Sequence, residues 1–174
     1  MNIRRFCEKD IDHLCKWFSS NDEVLQWGGI DLAWPLTKSQ VIPMLQEANE
    51  SPPKRWMFIG FQDSIRLAHA QIELDWLHGV ALLGRVVINP DYRKKGLAVP
   101  FLQKIIDEVF SRLEFQRLEL NVYSFNKPAI KTYQRLGFIQ EGIRRSAVKA
   151  TNERWDDIMF SMLRNEYLKI NKLN

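Results

Sequence analysis

Cysteine is nearly missing from this chain of 174 residues: there are two, Cys7 and Cys15, outside any Cys-x-x-Cys spacing. A disulfide-stapled secreted scaffold is excluded, and reduced, partly buried thiols are expected. Histidine is as scarce. His13, His69 and His78 are scattered, with no His-Glu-x-x-His pattern or Cys/His cluster, so no metal centre is expected. No apolar run approaches the ~20 residues of a membrane helix, and no signal-peptide core follows Met1-Asn2-Ile3-Arg4-Arg5. The expectation is a cytoplasmic protein without a membrane partner. Long runs of like charge are missing too. The 25 Lys and Arg against 21 Asp and Glu leave a net charge of +4, which suits an anionic ligand but not a nucleic-acid arm. Repeats and low-complexity tracts are absent, and the chain reads as one domain over residues 1–174.

What is present is an ordinary globular composition, with 45% hydrophobic and 26% charged residues. A domain of this length buries roughly two-thirds of its unfolded surface and needs no staple. Residues 3–6 read as a short strand, and Asp10 can cap a helix carrying Ile11, Leu14, Cys15 and Phe18. Thr37 can cap a second helix with Val41, Leu45 and Ala48, which Pro43 should kink or shorten. The period then changes. Trp56 to Phe61 is β-rich, and in the next strand Ala70, Ile72, Leu74 and Trp76 alternate with Gln71, Glu73 and Asp75. Val80–Ile88 is almost continuously apolar, as in a central strand covered on both faces. From Leu97 to Leu113 a helical stripe returns through Ala98, Phe101, Leu102, Ile105, Val109 and Leu113. A strand with Leu118, Leu120 and Val122, a helix over 126–136 ended by Gly137, and strands near 138–148 and 154–163 complete the order. The expected fold is a mixed α/β sheet of about seven strands, mostly antiparallel, with one parallel β-α-β crossover and four helices on its faces.

The most informative segment is Val87-Ile88-Asn89-Pro90-Asp91-Tyr92-Arg93-Lys94-Lys95-Gly96-Leu97-Ala98. A buried strand ends, a short basic loop with one glycine follows, and a long helix begins. The first amides of that helix have no internal partner and lie at the positive end of its dipole. Gly96 permits a close backbone approach, and Ala98 has little side chain to obstruct it. Together these describe a cradle for a pyrophosphate. The loop is neither Gly-x4-Gly-Lys-Ser/Thr nor Gly-x-Gly-x-x-Gly, which argues against a P-loop NTPase and a dinucleotide site.

These residues resemble the GCN5-related N-acetyltransferase (GNAT) superfamily. Its main motif, Arg/Gln-x-x-Gly-x-Gly/Ala, is matched by Arg93-Lys94-Lys95-Gly96-Leu97-Ala98, although Lys94 stands where glycine is usual. A second motif appears as Asn126, Ala129, Tyr133, Gly137 and Phe138. Trp27, Trp34-Pro35-Leu36-Thr37 and Trp155-Asp156-Asp157 with Glu166-Tyr167 resemble the Rim-type branch, whose members acetylate protein N-termini or small amines.

The resemblance implies acetyl transfer from acetyl-CoA, as cosubstrate, to a primary amine by direct attack on the thioester. It places the pyrophosphate on Arg93, Lys94, Lys95, Gly96, Leu97 and Ala98, and the pantetheine arm beside the backbone of Val86, Val87 and Ile88. Asn126 would touch that arm, cap its helix, or do both. Tyr133 would protonate the leaving sulfur; its alternative is a core aromatic beside Phe138. Glu73 is the candidate base, against a salt-bridged strand carboxylate. The acceptor would be bordered by residues 19–36 and the 150–154 turn, and a homodimer is possible on the family pattern. A non-catalytic CoA-binding regulatory module and, less well, a nucleic-acid-binding domain remain as alternatives.

Overall fold

The computed structural model describes residues 1–172. Its strands are β1 (Asn2–Arg5), β2 (Arg55–Gln62), β3 (Ile65–Asp75), β4 (Val80–Ile88), β5 (Arg117–Tyr123), β6 (Ile139–Lys149) and β7 (Arg154–Leu163). They form one seven-stranded sheet in the order β1-β2-β3-β4-β5-β7-β6. Every neighbouring pair is antiparallel except β4–β5, which the connecting helix makes parallel. The helices are α1 (Ile11–Cys15), α2 (Asn21–Gly28), α3 (Lys38–Ala48), α4 (Ala98–Ser111), α5 (Lys127–Arg135) and α6 (Arg164–Lys172). The expected mixed sheet and crossover are found, with α2 and α6 additional to the four helices expected. No helix among the described residues is long and apolar enough to cross a membrane.

Both faces of the sheet are covered at β2, which explains its lack of a polar alternation. Trp56 and Phe58 turn towards α4, while Met57 and Ile59 turn towards α1, α2 and α3. α4 buries Phe101, Leu102, Ile105, Ile106, Val109 and Phe110 against Ala70, Ile72, Leu83, Leu118, Leu120 and Phe160. At about 1.5–3 kcal/mol for each buried side chain, this packing far outweighs the ~1 kcal/mol that a side-chain cap would add at the helix start. The helix therefore forms with no such cap.

Three local expectations are corrected. Leu113 is 79% exposed, because α4 ends at Ser111 and the stripe ends with it. α3 runs on past Pro43 to Ala48 instead of stopping. Asp10 precedes α1 but does not cap it with its side chain. Its buried carboxylate accepts from Arg4 at 2.6 and 2.8 Å, from Arg66 at 2.7 Å and from the Cys7 amide at 3.0 Å. Burial alone would raise the Asp10 carboxyl, but these donors outweigh it and hold the group well below the carboxylate range. A fully buried carboxylate needs charged partners more than a helix needs its cap. The result ties β1 to the β2–β3 hairpin. Cys7 is exposed and Cys15 half-buried, both free.

Candidate active site

β4 and β5 pair only from Val80–Arg117 to Leu83–Leu120. Beyond that point the two strands share no ladder, so residues 84–88 have a backbone edge that β5 does not fill. At the parting β4 also bulges: His69 faces Val87 and Gln71 faces Gly84, leaving Arg85 and Val86 opposite Ala70. Arg85 has φ +50°, a left-handed conformation that costs a side-chain-bearing residue about 1–2 kcal/mol. It is held in place from both ends. The Trp27 indole N–H donates to the Arg85 carbonyl at 2.6 Å, while the guanidinium donates to Glu73 at 3.1 Å and to the Gly28 carbonyl at 3.4 Å. Val87 packs under α1–α3, and Val86 and Ile88 pack towards α4. Their side chains are spent in the core; what β5 leaves uncovered is one backbone edge, on which the Ile88 carbonyl accepts from Arg93 Nε at 3.4 Å.

After β4, Asn89 fixes the exit of the strand by donating to the Arg66 carbonyl at 2.8 Å and accepting from the Asp91 amide at 3.1 Å. Residues 93–98 then turn into α4 with Lys94 at φ +61° and Gly96 at φ +72°. Lys94, where the family favours glycine, thus adopts the conformation that glycine takes without strain. An ideal Cβ on Gly96 would meet no atom within 4 Å, so its face is open. The first turn of α4 holds no acid and no side-chain cap, so no carboxylate or cap among the described residues competes there for its amides. Arg93 leans towards Glu23, 3.9 Å away, and Lys95 stands 4.4 Å over the Tyr92 ring. A cleft of about 240 Å³ opens here, lined by Gly96, Ala98 and Val99 on one side and Lys131, Thr132 and Arg135 of α5 on the other. The open Gly96 face and the uncapped amides fit a pyrophosphate.

Asn126 does act as the N-cap of α5, accepting from the Ala129 amide at 3.3 Å. Tyr133 is buried on the α4 side of the sheet, edge-on to Phe138 at 6.0 Å. Burial pushes its phenol well above the ordinary tyrosine value, so it stays protonated. Glu73 lies on the opposite face. One of its oxygens accepts from Arg55 at 3.3 Å and from Arg85 at 3.1 Å, and the side chain is 46% exposed. Gln71 beside it gives its amide oxygen to Arg55 at 2.9 Å and therefore turns its NH₂ to His69 Nε2 at 3.2 Å. Burial pushes His69 down to about 3, so its ring stays neutral beside the Arg55–Glu73–Arg85 charges.

The structure brings residues 93–98 to one side of the strand parting and leaves Tyr133 and Glu73 on opposite faces of the sheet. It also joins the two segments expected to border an acceptor: Asp22 of α2 accepts from the Thr151 hydroxyl at 2.7 Å. Sequence reasoning missed Lys131, Thr132 and Arg135 in the cleft, although two cations four residues apart on a short helix were visible. It also missed α2, which Ser20 caps by accepting from the Glu23 amide at 3.2 Å; Ser20 with Glu23 three residues on was its signal.

Known proteins identify the family and share the fold. The profile of the GNAT acetyltransferase family matches residues 14–138. The chain is 31% identical over 173 residues to the uncharacterized N-acetyltransferase p20 of Bacillus licheniformis, covering 96% of this chain and 94% of that one. It is 35% identical over 82 residues to the ribosomal protein bS18-alanine N-acetyltransferase of Escherichia coli K12, covering 47% of this chain and 55% of that one. Spermidine N-acetyltransferase from Vibrio cholerae, solved with CoA and spermine, shares the fold with a TM-score of 0.82 at 17% identity, over 96% of this chain and 97% of that one. The chain belongs to the GNAT acetyltransferase family and is an acetyl-CoA-dependent N-acetyltransferase.

Proposed function

We propose that this enzyme acetylates a primary amine at the point where β4 and β5 part, with the 93–98 loop as its CoA cradle. The observation that carries the reading is the conjunction of that parting with a helix start that is uncapped and free of acids. The amides from Lys94 to Ala98 hold the pyrophosphate, with Arg93 and Lys95 beside it. The uncovered backbone edge of Val86, Val87 and Ile88 receives the pantetheine arm, and Asn126 meets that arm while capping α5. The amine attacks the thioester carbonyl directly, and the protein supplies position and two proton sites.

Tyr133, raised by burial, gives its proton to the departing sulfur from the α4 side. Glu73, held by Arg55 and Arg85 on the other face, takes the proton of the attacking amine. An acid and a base on opposite faces suit a thioester lying through the gap between the strands. An alanine of a ribosomal protein and spermidine are the acceptors named for two related enzymes, and α2 with the 150–154 turn borders the side from which a protein or polyamine amine would enter.

The test is CoA release from acetyl-CoA against polyamines, aminoglycosides, amino acids and N-terminal peptides. Acceptor-dependent release supports the reading. Tight CoA binding with no release for any amine would replace it with a CoA-binding module.

A further inference from the structure

The cleft beside the cradle carries more positive charge than the cradle reading uses. α5 is Lys-Pro-Ala-Ile-Lys-Thr-Tyr-Gln-Arg: it has no acidic residue, and Lys127, Lys131 and Arg135 recur at intervals of four, along one stripe of the helix. Lys131 and Arg135 line the cleft and Lys127 does not. Neither of the two lining cations has an ion pair among the described residues, and the facing first turn of α4 offers no carboxylate. The cradle's own cations are partly occupied, Arg93 towards Glu23 and Lys95 over Tyr92. Two free cations across a cleft from exposed helix amides call for a second anionic group on the same ligand. Of the phosphates in CoA, the 3′-phosphate on the ribose is a monoester and carries about 1.5–2 negative charges near neutral pH. Per phosphorus it is the more highly charged group, and the pyrophosphate already has the amides.

We propose that Lys131 and Arg135 hold the 3′-phosphate of CoA and make the enzyme select acetyl-CoA over its dephospho form. The proposal rests on the CoA reading above. Arg135 suits a forked contact with phosphate oxygens, and Lys131, one turn earlier, supplies a point charge beside it. Thr132 is not needed for the charge, since its hydroxyl donates to the Pro128 carbonyl at 2.9 Å. Both cations are exposed and unpaired, so replacing them should leave the fold intact.

The experiment is calorimetric binding of CoA and of 3′-dephospho-CoA to the wild-type chain, to K131Q/R135Q and to K127Q. Wild type should bind CoA at least about tenfold more tightly than dephospho-CoA, the scale of one or two charge-assisted contacts at an exposed site. The double variant should bind both ligands with the affinity that wild type shows for dephospho-CoA. K127Q, which removes the same kind of charge from the same stripe outside the cleft, should keep the wild-type ratio. Equal binding of the two ligands by wild type would overturn the proposal and leave the CoA reading standing. So would a preference that survives in K131Q/R135Q, or one that K127Q abolishes. No binding of either ligand would sink the CoA reading and this inference together.

Discussion

Gly96 offers a perturbation whose cost to the fold and cost to the site can be separated. Its φ of +72° is left-handed, so any side chain there is strained by about 1–2 kcal/mol. A narrower unfolded ensemble returns about 0.4–1 kcal/mol of that. No atom lies within 4 Å of an ideal Cβ, so no clash is added. The net loss for Gly96→Ala is about 1 kcal/mol, which for a chain of this size lowers Tm by ~2–4 °C. Gly29 is a control away from the cradle: its Cβ direction is equally empty, but φ +80° with ψ −169° is a conformation that essentially only glycine adopts. Gly29→Ala should lower Tm by at least as much and leave CoA affinity unchanged.

Gly96→Asp adds a carboxylate where the pyrophosphate belongs. Two like charges 4 Å apart at an effective dielectric near 20 repel by about 4 kcal/mol before salt reduces it. Affinity in calorimetry should therefore fall well over tenfold, which needs only ~1.4 kcal/mol. The decisive result is a folded Gly96→Asp protein with unchanged CoA affinity: it would take the 93–98 loop out of the CoA site.

Tyr133→Phe keeps the ring against Phe138 and removes the acid, so turnover should drop by about a hundredfold while CoA affinity and Tm stay put. Turnover equal to wild type, with chemistry limiting, would return Tyr133 to a packing role. Glu73→Gln keeps the shape of the side chain and should cost roughly a hundredfold in turnover together with the acidic limb of the pH–rate profile; a mild loss with that limb intact would assign the proton to water. Asp10→Asn leaves Arg4 and Arg66 without their shared charge and should destabilise the fold by about 3 kcal/mol, the low end for a broken buried pair because both arginines keep some water. The Asp10 carboxyl is depressed in the folded state, so its stabilisation is complete above the ordinary carboxylate range and is lost as pH falls towards the folded value. Urea melts at pH 7 and pH 3 should show the wild-type advantage over Asp10→Asn shrinking with acid, and a constant gap would refute the linkage.

The sheet and the basic turn into α4 were legible because each rests on local chemistry. The continuous apolar run of β4, the basic turn and the stripe of α4 carry their meaning within a few residues. What lay hidden depends on contacts distant in sequence. Gly84 marks a place where β4 can bulge, but what fixes the bulge at Arg85 is distant in sequence, Trp27 of α2 and Glu73 of β3. Asp10 looked like a cap because the sequence does not show that Arg66, 56 positions on, arrives beside it. α2 was lost among polar residues whose capping pair was not weighed, and Leu113 was assigned to a stripe that the chain ends two residues earlier.

The clamp on Asp10 has a bearing on solubility. β1 is only four residues long, yet it covers the whole outer edge of the Phe58–Phe61 stretch of β2. Beneath that cover β2 reads Trp-Met-Phe-Ile-Gly-Phe, with no proline and no charge between Arg55 and Gln62. Such a segment with a bare edge is a template for intermolecular strand pairing. Arg4 is held to Asp10, and Arg5 lies 4.6 and 4.4 Å from the Trp56 and Phe58 ring centroids and reaches Glu108 at 2.8 Å, so both arginines fasten the cover down. A lesion in this corner, remote from the strand parting, would show first as concentration-dependent aggregation in the test tube, while the molecules still folded went on turning over normally.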